Sequence, residues 1–147
     1  MSRKNYNKNR NKSDNKNELK KITLDYEKEP QLFGDVAKEL AKKLEEEAKK
    51  SRSKNINNAN QIRNFYDKVI ELNKKAQNCE SEEEYKKNIY PFVVMLNSKV
   101  AYAKTRNLVS DTFVEMINQC VKEADSIKKM NNFKLFFEAV IGFYPKR

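Results

Sequence analysis

Apolar side chains recur at helical spacing in one segment of this chain after another. No segment alternates apolar and polar residues for long enough to specify a strand. Phe33, Val36, Ala37, Leu40, Ala41 and Leu44 hold that spacing to about Lys50, with Lys and Glu on the opposite face. Glu39 with Lys43 and Glu45 with Lys49 add i,i+4 pairs worth about 0.3 kcal/mol each. Residues 51–58 read as a flexible, basic linker. A second helix follows over about 59–77, capped by Asn58 or Asn57 and burying Ile62, Phe65, Tyr66, Val69 and Ala76.

Ser81 with Glu84 forms a capping box. Pro91 then either kinks that helix or opens a new one at its first turn. The next apolar set is Phe92, Val93, Leu96, Val100 and Ala103, and Asn107 offers a left-handed stop. Ser110 caps a fourth helix with Phe113, Met116, Ile117, Cys120, Val121 and Ala124 inward. The last helix starts near Asn131 or Asn132, packs Phe133, Phe136, Phe137, Val140 and Ile141, and stops at Pro145. The pattern specifies an all-α bundle of about five helices, with residues 30–147 as the helical domain. Its final helix carries more rings than one inner stripe needs, so Phe137 and Tyr144 belong either to the core or to a protein contact.

Ahead of that domain, residues 1–29 read as a disordered, basic tail, because Asn and Lys alternate from Arg3 to Asn17 with almost no apolar side chain. Much of the chain's charge sits there. Residues 1–21 hold eight Lys and Arg against two acids, which is +6 of a formal net charge of +10. The other 126 residues hold 23 bases against 19 acids. A polyanionic partner is the first class to consider, but its contact with the folded part rests on where the cations sit.

Several chemistries are excluded by residue type. Histidine is absent, which removes His-based acid–base catalysis and His metal ligation. Gly34 and Gly142 are the only glycines, too few for a phosphate-cradling loop. Two cysteines, Cys79 and Cys120, make no metal cluster, and Cys120 falls on an apolar helical face. Consecutive carboxylates at Glu45 to Glu47 and Glu82 to Glu84 fan out around a helix instead of converging, and read as a solvated surface. Neither an enzyme, a cofactor nor a metal is expected. No signal peptide and no apolar run near membrane-spanning length is present, so a cytoplasmic, reduced protein is expected, away from membranes.

One stretch does point to a ligand. On a helix through Leu96, Val100 and Ala103, the residues Lys99, Tyr102 and Arg106 line up along one border of the apolar face. Two cations flanking a ring on a packed helix suit a surface that holds phosphates in fixed register. Lys99 has no carboxylate three or four residues away, whereas Arg106 has Asp111 and Arg63 has Asp67 as possible surface partners.

Three segments resemble the small helical subunit of type III-A CRISPR interference complexes, the Csm small-subunit family. Gln61-Ile62-Arg63-Asn64-Phe65-Tyr66 resembles the family's first core motif. Lys99-Val100-Ala101-Tyr102-Ala103-Lys104-Thr105-Arg106 resembles its central Lys-x-Ala-Tyr-x-x-Gly-Arg signature, with Thr105 in place of the Gly. The segment from Phe133 to Lys146 resembles its aromatic C-terminal helix, with Pro145 in place of a His.

The resemblance, which covers about residues 32–146, implies a non-catalytic subunit of an antiviral ribonucleoprotein. Such subunits stack as a filament beside the backbone subunits and contact guide and target RNA through phosphate, while catalysis belongs to other subunits. The partners implied are guide RNA, target RNA, other copies of the chain, and the backbone and large subunits. Carried onto this sequence, the RNA-binding set is Arg63, Lys99, Lys104 and Arg106. Lys54 joins them from the charge of its linker alone. The rival expectation is a helical protein-interaction module or adaptor that touches no nucleic acid and binds through its C-terminal aromatics.

Overall fold

The computed structural model describes residues 19–145. A π-helical turn, Leu32–Val36, leads into α1 (Ala37–Lys50). There follow α2 (Ala59–Gln77), α3 (Glu82–Asn88), α4 (Tyr90–Val94), α5 (Leu96–Thr105), α6 (Asp111–Glu123) and α7 (Ile127–Phe143). No strand occurs among the described residues. The fold is all-helical, with somewhat more helices than the five expected.

The extra pieces come from the segment around Pro91. Ile89 at φ −113° ends α3, and the proline takes up the first turn of α4, where its missing N–H costs nothing. Met95 stays right-handed (φ −60°, ψ −22°), so α4 and α5 run nearly as one helix with a joint. Phe92 faces outward, 58% exposed, against the expectation that it packs inward, because helical spacing puts it just outside the arc of Val93, Leu96 and Val100. Val93, Leu96, Val100 and Ala103 are buried as expected.

At the centre lies α7, packed chiefly on α1 and α2. Its Met130, Phe133, Phe136, Phe137 and Val140 are all buried. Phe113 of α6 bridges Phe65 of α2 and Phe137 of α7, with edge-on ring centroids 5.4 and 6.1 Å away. Each such ring stabilises the fold by about 1.5–3 kcal/mol through burial alone. The C-terminal rings are thus core, and of the last aromatics only Phe143 is exposed. This helix begins at Ile127, earlier than Asn131 or Asn132, because Ser126 caps it by accepting from the Lys129 N–H at 3.1 Å. Asn131 and Asn132 then serve inside it. Asn131 accepts from Asn73 of α2, and buried Asn132 donates to the Leu24 carbonyl, each at 3.0 Å.

That last bond anchors a segment expected to lie in the tail. Ile22 and Leu24, two residues apart, are both buried as an extended strap. The Ile22 N–H donates to Gln119 at 2.6 Å and the Leu24 N–H to Glu123 at 3.1 Å, so α6 supplies the acceptors that a strand neighbour would otherwise provide. Packing therefore begins ahead of the expected boundary at residue 30. The rest of the expected tail, residues 1–18, lies outside the described residues.

Two tyrosines close the far end of α6. The hydroxyl of fully buried Tyr85 donates to the Ala124 carbonyl at 2.6 Å, and that of half-buried Tyr90 to Val121 at 2.9 Å. Burial raises both phenol pKa values. No helix among the described residues is long and apolar enough to cross a membrane.

Candidate nucleic-acid interface

Leu96, Val100 and Ala103 fix α5 to the core, and its exposed side presents Lys99, Tyr102 and Arg106. The helix ends at Arg106. Asn107 turns left-handed at φ 58°, its N–H donating to Lys104 while the Leu108 N–H donates to Ala103, both at 3.0 Å. This paired closure satisfies the last carbonyls and sets the direction in which Arg106 leaves the helix.

The Arg106 guanidinium then folds back over Tyr102. Its carbon lies 5.6 Å from the ring centroid, and Nη1 donates to the phenol oxygen at 3.2 Å. Such a stack at an exposed site is worth about 0.5–1 kcal/mol, enough to bias the side chain without fixing it. Tyr102 is 64% exposed.

The other cations differ in their surroundings. The ammonium of Lys104 lies 3.5 Å from Asp111, the acid expected to partner Arg106. None of the ion pairs among the described residues involves Lys54, Arg63, Lys99 or Arg106, so the Arg63–Asp67 pair is not formed. Lys99 stands in solvent, in keeping with its lack of a nearby carboxylate.

Lys54 lies in a segment that is tied down at its end. Ser53 donates through its hydroxyl to the Asn107 carbonyl at 3.5 Å, which ties the residue before Lys54 to the residue after Arg106. Three residues on, buried Asn57 adopts φ 55°. Its side chain donates to the Leu44 carbonyl at 3.1 Å and to the Ser110 hydroxyl at 2.8 Å, and accepts from the Ser110 N–H at 2.9 Å. Its own N–H donates to Leu108 at 3.0 Å, and its carbonyl accepts from the Tyr144 hydroxyl at 2.6 Å. One residue thus joins α1, the linker, the α5–α6 loop, the start of α6 and the C-terminal turn.

Asn58, next in sequence, caps α2 by accepting from the Gln61 N–H at 2.9 Å. Arg63 follows on the exposed side of that helix. Lys54, Lys104 and Arg106 are brought to one end of the bundle, with Lys99 two turns further along α5. Arg63 shares that end only through the Asn57–Asn58 corner, since no hydrogen bond or ion pair among the described residues links it to α5.

A family model described as Csm2 Type III-A matches residues 27–146. This chain belongs to that family. Csm2 is a small subunit of type III-A CRISPR complexes, which is the family that the three motifs resemble. The matched span contains all five cations and every helix described. Comparison with curated proteins and with solved structures finds no match.

No group of three or more His, Cys, Asp and Glu that could hold a metal ion occurs among the described residues. Cys120 is a free, buried thiol whose pKa is pushed up by burial, the opposite of what a nucleophile needs. Two of the carboxylates read as solvated serve the fold instead. Glu47 of α1 accepts from the Thr112 hydroxyl at 2.7 Å and its N–H at 3.2 Å, and Glu82 accepts from the Ile127 N–H at 3.1 Å. Sequence alone hides these roles because each cap comes from a distant helix. Phe92 and Met95 also face outward beside Lys99.

Proposed function

We propose that this Csm2 chain is a non-catalytic subunit that grips the guide and target RNA backbone in its complex without reading sequence, and that it bridges neighbouring subunits. The observation that carries this reading is the Lys99–Tyr102–Arg106 stripe. Two cations without carboxylate partners are held on a helix whose opposite face is locked in the core. A complex that reads sequence through base pairing needs from such a subunit only a rigid contact with phosphate.

Lys99 and Arg106 are the primary contacts in this reading. Lys54 follows the Ser53 that bonds the turn after Arg106, Lys104 becomes available when it leaves Asp111, and Arg63 extends the footprint around the α2 corner. The subunits in contact would be the backbone and large subunits and further copies of the chain. The rival reading, an adaptor binding through C-terminal rings, has less support, because Phe133, Phe136 and Phe137 are fully buried and Tyr144 is bonded to Asn57, which leaves Phe143 as the exposed ring of that set.

The test is the assembled complex carrying Arg63→Ala, Lys99→Ala and Arg106→Ala together. Assembly is expected to survive, while target-RNA affinity falls at low salt and the salt slope drops by about 0.7–0.9 for each phosphate that is no longer neutralised. Unchanged affinity and slope in the triple variant would refute the grip.

A further inference from the structure

The exposed side of α4 and α5 carries more than charge. At about 100° per residue, Phe92, Met95, Lys99, Tyr102 and Arg106 fall within an arc of roughly 80°. That arc adjoins the buried one without overlapping it. Phe92 is 58%, Met95 50% and Tyr102 64% exposed, so apolar and aromatic faces stand in solvent on the same stripe as the two unpaired cations. The chain has no acidic residue between Glu84 and Asp111, while Lys86, Lys87, Lys99, Lys104 and Arg106 all lie in that interval.

A strip of this kind suits one partner best. A duplex buries the faces of its bases and leaves exposed rings nothing to stack on. An unpaired strand offers phosphates to Lys99 and Arg106 and base faces to Tyr102 and Phe92 at once, and ring–base stacking tolerates any sequence. A protein partner would use the same apolar side chains, but the only charged members of the stripe, Lys99 and Arg106, are cations without a carboxylate partner among the described residues, which favours a polyanion.

The geometry points to a stacking platform for unpaired RNA nucleotides on α4–α5, with Tyr102 as its principal ring and Phe92 as the second. It rests on the backbone grip proposed above and narrows it. The Arg106 guanidinium over Tyr102 extends the flat surface, since guanidinium planes stack on bases as rings do.

The test measures binding of the full-length chain to a short oligouridylate and to a blunt RNA duplex of equal length, across a salt series. Tyr102→Ala is expected to weaken oligouridylate binding about tenfold, to leave the duplex unaffected and to keep the salt slope. Tyr102→Phe keeps the ring and is expected to bind like the parent, which separates stacking from the hydroxyl bond to Arg106. Lys99→Ala with Arg106→Ala should weaken both probes and flatten both slopes.

If the cation variants behave so while Tyr102→Ala changes nothing, or changes both probes alike, the platform is wrong and the grip stands. If the cation variants leave affinity and slope untouched, or neither probe binds the parent chain, the grip and the platform fall together. Sedimentation of the same proteins covers the remaining occupant. Self-association of the parent chain that Phe92→Ala abolishes, with RNA binding unaltered in Phe92→Ala and Tyr102→Ala, would assign the stripe to a second copy and overturn the proposal.

Discussion

Asn57 and Ser110 exchange two hydrogen bonds, the amide donating to the hydroxyl at 2.8 Å and accepting from the backbone N–H at 2.9 Å. The pair takes up the Ser110 hydroxyl, which makes no side-chain bond to its own helix, and the first turn of α6 is capped by Glu47 through the Thr112 N–H instead. It also holds the linker carrying Lys54 against the loop that follows Arg106. The fold and the basic end of the bundle therefore depend on the same residue.

Substitution at Asn57 separates its two tasks. Asn57→Ala removes three side-chain bonds inside the fold and keeps a β-carbon at φ 55° without the short amide that lets Asn tolerate that region, a conformation that strains other non-glycine residues by about 1–2 kcal/mol. Asn57→Gly removes the same bonds without the strain. We expect both to lower stability in urea, by about 2–4 kcal/mol for Ala, with Gly less damaging by about 1 kcal/mol. Equal losses would mean that the left-handed backbone carries no cost here.

Glu47 makes a second long-range cap, with both carboxylate oxygens on Thr112. Glu47→Ala should cost about 1–2 kcal/mol, as loss of a helix cap does, whereas Glu46→Ala on the exposed neighbour should stay within about 0.5 kcal/mol. Chemical denaturation of the two variants side by side gives the comparison. Similar small losses would show that the Glu47 bonds are replaced by water at no cost.

Alkaline pH should loosen the fold before its helices lose intrinsic stability. Burial raises the Cys120 thiol and the Tyr85 and Tyr90 phenols, and burial followed by the bond to Glu138 pushes Tyr66 up to about 12. Each group keeps its proton longer folded than unfolded. The unfolded chain therefore binds fewer protons once pH passes the ordinary values of 9.0 for thiol and 10.0 for phenol. Stability is then level below about pH 8 and falls as pH rises through those values. Tyr66→Phe keeps the ring beside Phe137 but removes the titrating group, so its decline between about pH 10 and 12 should be shallower. Urea midpoints across that range decide the matter, and parallel declines would remove Tyr66 from the account.

Local chemistry makes much of this architecture legible in the sequence. The apolar positions of α1, α2, α6 and α7, the cap at Asn58 and the left-handed stop at Asn107 follow from spacing and residue type within a few residues. The features that spacing does not reveal share one cause. The Ile22–Leu24 strap, the Glu47 and Glu82 caps and the Asn57 corner are made by hydrogen bonds spanning about 40 residues or more, apart from the nearer Leu44 carbonyl, and no periodicity encodes them. Phe92 departs from its expected place because its helical position lies about 40° from Leu96 and about 100° from Val93, just outside the buried arc. Within the candidate interface the Lys99–Tyr102–Arg106 stripe is readable, but not the pairing of Asp111 with Lys104, because the turn between them sets which cation the acid meets.

That pairing gives the interface an asymmetry open to measurement. Lys104 is 39% exposed and its partner Asp111 90%, so the contact is a surface pair worth at most about 1 kcal/mol, yet phosphate must displace it. Lys104→Ala should therefore weaken RNA binding less than Lys99→Ala, whose ammonium has no carboxylate to leave. Asp111→Asn should do the reverse, strengthening binding about two- to fivefold at low salt by freeing Lys104 and removing a negative charge beside the RNA path. The same substitution takes an acid from the first turn of α6 and should cost about 0.5 kcal/mol of stability through the helix dipole. Affinity and stability would then move in opposite directions in one variant, which a general loosening of the fold cannot produce. Unchanged or weaker RNA binding by Asp111→Asn would remove Lys104 from the contact set and leave Lys99 and Arg106 as its centre.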